Sequence, residues 1–167
     1  IDHHDMYDAI EESECDPTGQ MLTGTWVEAI RDEVLKSRWC ARDFNKNGKR
    51  TDLFAPGSQK DTGRLIDFKA VKRDYVTFTV DISAAYNTLP EQELVYCRPP
   101  KEWLSHRAKL GLSTTVVWRM KKLLPGRRVA ATQWVEHMAS VMMKFENLDR
   151  YVGAPQLFTC KKTDLSC

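Results

Sequence analysis

The chain has 167 residues, 42% of them hydrophobic and 29% charged, with a formal net charge of +2 at pH 7 and a mean hydropathy of −0.49. That length corresponds to about one domain with a core of its own. No apolar run reaches the ~18 residues that a membrane-crossing helix requires, and no signal-peptide pattern opens the chain. The charge is uneven: residues 1–35 carry −9 and residues 36–167 carry +11. A basic body of this kind attracts a polyanion such as nucleic acid, or is simply a solvated basic face. The acidic head reads as a flexible tail or as a segment folded back on the basic body. The five cysteines are scattered without C-x-x-C spacing. This argues against a zinc site and a disulfide framework and for a reducing, intracellular compartment. His3-His4-Asp5 at a chain terminus reads as adventitious metal binding at most. Residue 1 is Ile, so a processed chain or a piece of a longer one is expected.

In chain order, residues 1–20 read as a tail or one short helix ending in the Asp16-Pro17-Thr18-Gly19 turn. Thr23 or Thr25 can cap a following helix, with Glu28 completing a capping box on Thr25. Trp26, Ala29/Ile30 and Val34 then recur at helical spacing, which predicts a helix over Trp26–Ser37. Lys36 to Phe44 reads as a strand on which Lys36 and Arg38 share one face. Two cations on one face suit a triphosphate, and a solvent-facing strand edge is the plainer reading. Asn45–Lys49 reads as a hairpin turn and Gly57–Thr62 as a loop. A helix is expected over Thr62–Val71, with Leu65, Phe68 and Val71 inward. Lys69, Lys72, Arg73 and Asp74 make its end polar.

Tyr75-Val76-Thr77-Phe78-Thr79-Val80 has the β-branched and aromatic composition of a buried strand. It ends in Asp81. A carboxylate at the end of a core strand can hold Mg²⁺, and the small residues after it let backbone N–H groups approach a phosphate. The plainer reading of Asp81 is a turn or helix-capping residue. A short helix is expected over Ile82–Tyr86, ended by Pro90, and a returning strand over Glu93–Cys97. Residues 105–115 read as a polar connection and Val116–Met120 as a strand. Trp134, Met138, Val141/Met142 and Phe145 form the apolar stripe of a long helix, a pattern that is core in most proteins.

The stretch from Tyr75 through Asp81 to Tyr86 resembles the first catalytic motif of reverse transcriptases: hydrophobic strand, Asp, two variable residues, Ala, aromatic. Five further segments, in order, resemble copia-type retrotransposon polymerases. Lys36, Arg38, Ala41, Arg42 and Phe44 match Lys-Ala-Arg-Leu-Val-Ala-Lys-Gly-Phe, with Asp43 where the family often has Gly. Thr51–Pro56 resembles Glu-Thr-Phe-Ala-Pro. Arg98-Pro99-Pro100-Lys101-Glu102-Trp103 resembles the turn after Tyr-Met-Gln-Pro-Pro-Gly-Phe. Leu124, Gly126, Arg128, Ala130 and Trp134 match Lys-x-Leu-Tyr-Gly-Leu-Lys-Gln-Ala-Pro-Arg-x-Trp without a gap, with Val129 for Gln and Ala131 for Pro. Residues 148–158 resemble a last segment, Gly-Phe…Ser…Asp-Pro-Cys-Leu-Phe.

The resemblance implies an α+β fold, the fingers–palm portion of a polymerase with a small antiparallel sheet packed on helices. It divides the chain into an acidic tail, 1–25, and a partial reverse-transcriptase-like domain, 26–167. It implies RNA-directed DNA synthesis on an RNA/DNA template–primer with Mg²⁺. Asp81 and the Ile82 carbonyl would be metal ligands, with Asp81 catalytic. Lys36, Arg38, Ala84, Ala85, Tyr86 and Arg128 would bind the nucleotide, with Tyr86 under the sugar, where its bulk collides with a 2′-hydroxyl. Two-metal transfer needs more carboxylates than Asp81, and no later Asp-Asp pair occurs. The sequence therefore also supports a non-enzymatic reading: a binding or structural subunit, derived from such a polymerase, that docks on other protein subunits. An inert relic without a role is a third.

Overall fold

The computed structural model describes residues 5–44, 51, 53, 55, 57, 60–144 and 148–160. The expected turn at residues 45–49, half of the segment at 51–56, the His3-His4 pair and Phe145 lie outside them. The fold is α+β. The elements are β1 (Tyr7–Glu11), β2 (Gln20–Arg31), β3 (Val34–Arg42), α1 (Lys60–Arg73), β4 (Val95–Cys97), α2 (Lys101–Lys109), β5 (Val116–Met120), α3 (Ala130–Lys144), β6 (Leu148–Arg150) and β7 (Phe158–Cys160). They fall into two compact units, Ile1–Lys49 with Ala84–Ala130, and Arg50–Ser83 with Ala131–Cys167.

The first unit is built on a five-stranded sheet in the order β1-β5-β4-β2-β3. It is mixed rather than antiparallel, because β2 runs parallel to β4 while the other three strand pairs are antiparallel. Its core holds Met6, Leu22, Ala41, Val95, Cys97, Trp118, Met120 and Leu124. Tyr7 stacks on Trp118 at 4.2 Å between ring centroids, and Trp103 meets Trp118 edge-on at 5.3 Å. Such aromatic pairs add about 1 kcal/mol each beyond the area they bury.

These contacts overturn the expectation of a tail over 1–25. Residues Tyr7–Glu11 are an edge strand because Met6 and Tyr7 supply apolar anchors to the core. The acidic side chains of Asp5, Asp8 and Glu12 around them stay outside and find partners. Lys121 bonds Asp5 at 2.7 Å and Asp8 at 3.1 Å, and Arg98 bonds Glu12 at 2.6 Å. Among the described residues there, only one short 3-10 turn, Glu12–Glu14, is helical.

The helix expected over Trp26–Ser37 is also overturned. Those residues form the β2–β3 hairpin, paired from Thr23↔Arg42 to Arg31↔Val34. Thr25 and Glu28 lie in the ladder rather than in a capping box. The two-residue turn is Asp32-Glu33, both left-handed, at φ 53° and 62°. Two positive φ values match the twist of the flanking strands. The strand expected from Lys36 and those expected at Glu93–Cys97 and Val116–Met120 are present as β3, β4 and β5. The polar connection expected over 105–115 begins inside α2. This helix has Glu102 in its first turn and His106, Arg107 and Lys109 in its last, complementing the helix dipole. The Arg107 guanidinium lies 5.0 Å over the Trp103 ring one turn away.

In the second unit α1 forms where expected but buries a different face. Leu65, Phe68 and Val71 are exposed, and Ala70 is the buried residue, with Ile66 half-buried. Asp74, at φ 54°, ends the helix, and the Tyr75 N–H bonds back to the Ala70 carbonyl at 2.8 Å. α3 carries its stripe as expected, half-buried at Trp134, Met138, Val141 and Met142. Arg150 joins β6 to α3 through a two-pronged pair with Glu136, 3.0 Å at each prong.

The Asp32-Glu33 turn generates a prediction. A left-handed backbone costs a residue with a Cβ about 1–2 kcal/mol. Replacing both, Asp32→Asn with Glu33→Gly, should stabilise the first unit by about 1 kcal/mol. A raised urea midpoint at unchanged m-value is the expected result.

Candidate functional site

The first unit brings two of the resembling segments together. β3 ends at Arg42, and the turn after β5 carries Pro125-Gly126-Arg127-Arg128. The Ala41 N–H donates to the Pro125 carbonyl at 2.7 Å. Gly126 sits at φ 91°, and a Cβ there would run into the Ala41 carbonyl oxygen. Glycine is required on both counts.

Beneath this contact lies a buried ionic cluster. The Arg127, Asp43 and Glu91 side chains are 1%, 1% and 0% exposed. Arg127 donates through Nε to Glu91 at 2.9 Å. Through Nη1 it reaches Asp43 at 2.6 Å and Gln20 at 3.1 Å. Through Nη2 it reaches Glu91 at 3.3 Å and Glu93 at 2.7 Å. All five guanidinium N–H groups are used. Asp43 accepts four bonds: from Arg127 Nη1, from the Arg128 N–H at 3.1 Å, from Arg128 Nε at 3.3 Å and from Gln20 Nε2 at 3.2 Å. Burial alone would push the Asp43 carboxyl up. The Arg128 N–H, the Arg127 charge, Gln20 and the Arg128 charge outweigh it and hold the carboxyl below its ordinary value.

None of this cluster except Arg128 is legible as a site in the sequence. Its members lie at 20, 43, 91, 93, 127 and 128. The one signal is that Asp43 departs from the Gly of the resembling segment.

The remaining predicted residues are distributed as follows. Lys36 and Arg38 lie two apart on one face of β3, exposed, opposite Ala29 and Val27. Ala84, at φ 52°, leads into a 3-10 turn over Ala85–Thr88 that contains Tyr86. That turn replaces the expected helix over Ile82–Tyr86. Asp81 and Ile82 are exposed, in a segment of the second unit outside any helix or strand. The strand expected over Tyr75–Val80 is not formed. Val76 is 92% exposed and Phe78 86%, and residues 76–83 make no sheet ladder among the described residues. A strand needs a neighbour to satisfy its peptide groups, and composition alone does not supply one.

The donors for Mg²⁺ are thus one carboxylate and one carbonyl. Among the described residues no three His, Cys, Asp or Glu side chains come together as a metal group. This set falls short of what two ions need. The described cysteines Cys15, Cys40, Cys97 and Cys160 are unbridged, and burial pushes the Cys97 thiol up to about 11. The second unit holds a cleft of about 490 Å³ between α1 and the β6–β7 pair, apolar at Leu65, Phe68 and Leu157 and basic at Lys72. No described helix is long and apolar enough to cross a membrane.

No protein-family model, curated protein or solved structure matches the chain.

Two predictions follow from the cluster. Arg127→Met strands Asp43 and Glu91 as buried charges and should cost about 3–5 kcal/mol in chemical denaturation. The Asp43 carboxyl is held down in the folded state, so its contribution to stability is present above the ordinary Asp range. That contribution is lost as the pH falls through the lowered folded-state value. Acid unfolding monitored by circular dichroism should show this loss, and Asp43→Asn should remove that part of the pH dependence.

Proposed function

We propose that the chain is the fingers–palm portion of a copia-type retrotransposon reverse transcriptase and serves RNA-directed DNA synthesis on a template–primer. The observation that carries this reading is the docking of the Pro125–Arg128 turn on the end of β3, through Ala41 and Asp43. Both segments resemble parts that flank the incoming nucleotide in that family, and they lie more than eighty residues apart in the chain. Lys36 and Arg38 on the same strand supply cations for a phosphate backbone or triphosphate. Asp81 is the catalytic carboxylate in this reading, and the other carboxylates that two Mg²⁺ ions require come from outside the described residues.

A second reading rests on a separate observation. Val76, Phe78 and Val80 are exposed in a segment with strand composition. A protein partner that adds a strand there would cover them, as expected of a binding or structural subunit.

Primer extension on an RNA template with Mg²⁺, with Asp81→Ala as control, separates the two. Incorporation that falls at least about a hundredfold in Asp81→Ala supports the polymerase reading. Incorporation undiminished by that change sinks the role of Asp81. Template–primer binding without incorporation moves the weight to the binding subunit. In the binding assay, removing both Lys36 and Arg38 should flatten the slope of log K against log salt by about 2.

A further inference from the structure

We infer that residues 76–80 are a self-association surface, through which two copies of this chain pair as antiparallel strands about a two-fold axis at Phe78. A second copy of the chain is thus the strand-adding partner of the second reading above, on which this assignment rests. The run Val76-Thr77-Phe78-Thr79-Val80 reads the same in both directions. Antiparallel pairing centred on Phe78 therefore sets like against like: Val76 faces Val80, Thr77 faces Thr79 and Phe78 faces itself. A two-fold contact demands such self-complementarity, because the same patch supplies both sides.

Val76, Phe78 and Val80 are all exposed, and among the described residues the segment joins no ladder. A second strand would satisfy its peptide groups and cover those side chains. Cross-strand pairs of β-branched and aromatic residues, and of threonines, are the pairs that stabilise sheets. The strand period puts Val76, Phe78 and Val80 on one face of the ribbon and the threonines on the other. The flanking charges choose the direction. In the antiparallel pair Asp81 of one copy faces Tyr75 of the other. A parallel pair in register would set Asp81 against Asp81 and Asp74 against Asp74, and like charges directly opposite destabilise a sheet. A two-stranded ribbon alone is marginal in water, so its apolar face needs cover. In the same unit α1 exposes Leu65, Phe68 and Val71 at helical spacing, and only Asp74-Tyr75 separates that helix from the segment. One stretch of chain thus carries both the strand and the apolar surface that its pairing needs.

The test is sedimentation equilibrium of the full chain up to about 100 μM, high enough to populate a micromolar dimer. Amide hydrogen exchange at residues 76–80 is measured alongside. A concentration-dependent dimer with slowed exchange at those residues is expected. Phe78→Lys sets like charges against each other on the axis and should weaken the dimer at least about tenfold, while the dilute chain melts at an unchanged temperature. Val76→Lys alone should weaken it as well. Adding Val80→Glu should recover part of that loss, because the register then places opposite charges across both pairs. A dimer that Phe78→Lys leaves intact, or one that the second change does not rescue, overturns the pairing. A mass that grows past the dimer overturns the closed two-fold contact. A monomer at every concentration with rapid exchange at 76–80 overturns the second copy and leaves the binding-subunit reading standing. A monomer with those amides protected overturns both, because the segment is then paired within its own chain.

Discussion

The first unit depends on one guanidinium. Arg127 spends each of its N–H groups on Asp43, Glu91, Glu93 or Gln20. Those partners sit at the start of β2, just after β3 and just before β4. A single side chain thus ties the beginning of one strand and the end of another to the turn that follows β5. A buried ionic cluster of this kind contributes little net stability over a well-packed apolar one. Its effect is on register. A slip of β3 by one residue would carry Asp43 away from Arg127 and leave both charges buried without partners. The Gly126 contact enforces the same alignment sterically, since only a residue without a Cβ passes the Ala41 carbonyl.

How much of this was legible depended on whether the deciding interaction was local. β5 and β4 are short apolar runs with buried faces, and α3 has a clean stripe, so pattern alone located them. The β2–β3 hairpin defeated the same method. Its distal half is exposed on both faces, so no alternation marks it, and Trp26, Ile30 and Val34 fall at helical spacing within it. Its turn, Asp32-Glu33, lacks the glycine that normally signals two left-handed residues. Helix α2 was hidden for the opposite reason: it is polar almost throughout, and Trp103 is its main apolar anchor to the core. The N-terminal strand was masked by its charges. Met6 and Tyr7 decide its fate, and two residues among so many acids do not read as a strand.

The candidate site divides in the same way. Lys36 and Arg38 were readable because a strand places alternate residues on one face, whatever the strand pairs with. The Asp43 cluster was not readable because its charges meet only after the sheet has formed. Asp81 falls between these cases. Its neighbours Val76, Phe78 and Val80 have the composition of a core strand, and composition reports what a segment can do once a partner is present. The described structure offers that segment no ladder, so the residues stay in solvent.

This contrast bears on what β3 is for. One end of the strand carries Lys36 and Arg38 into solvent, where long cationic side chains adapt to whatever anion arrives. The other end, through Asp43, is bound into a cluster whose charged groups are fixed on several sides. Mobile cations attract a polyanion from a distance but discriminate poorly, because their geometry is not set in advance. A held guanidinium attracts no more strongly, yet it accepts a phosphate in one orientation. β3 and its docked turn thus carry both kinds of cation, two exposed on the strand and two fixed in the cluster at its end.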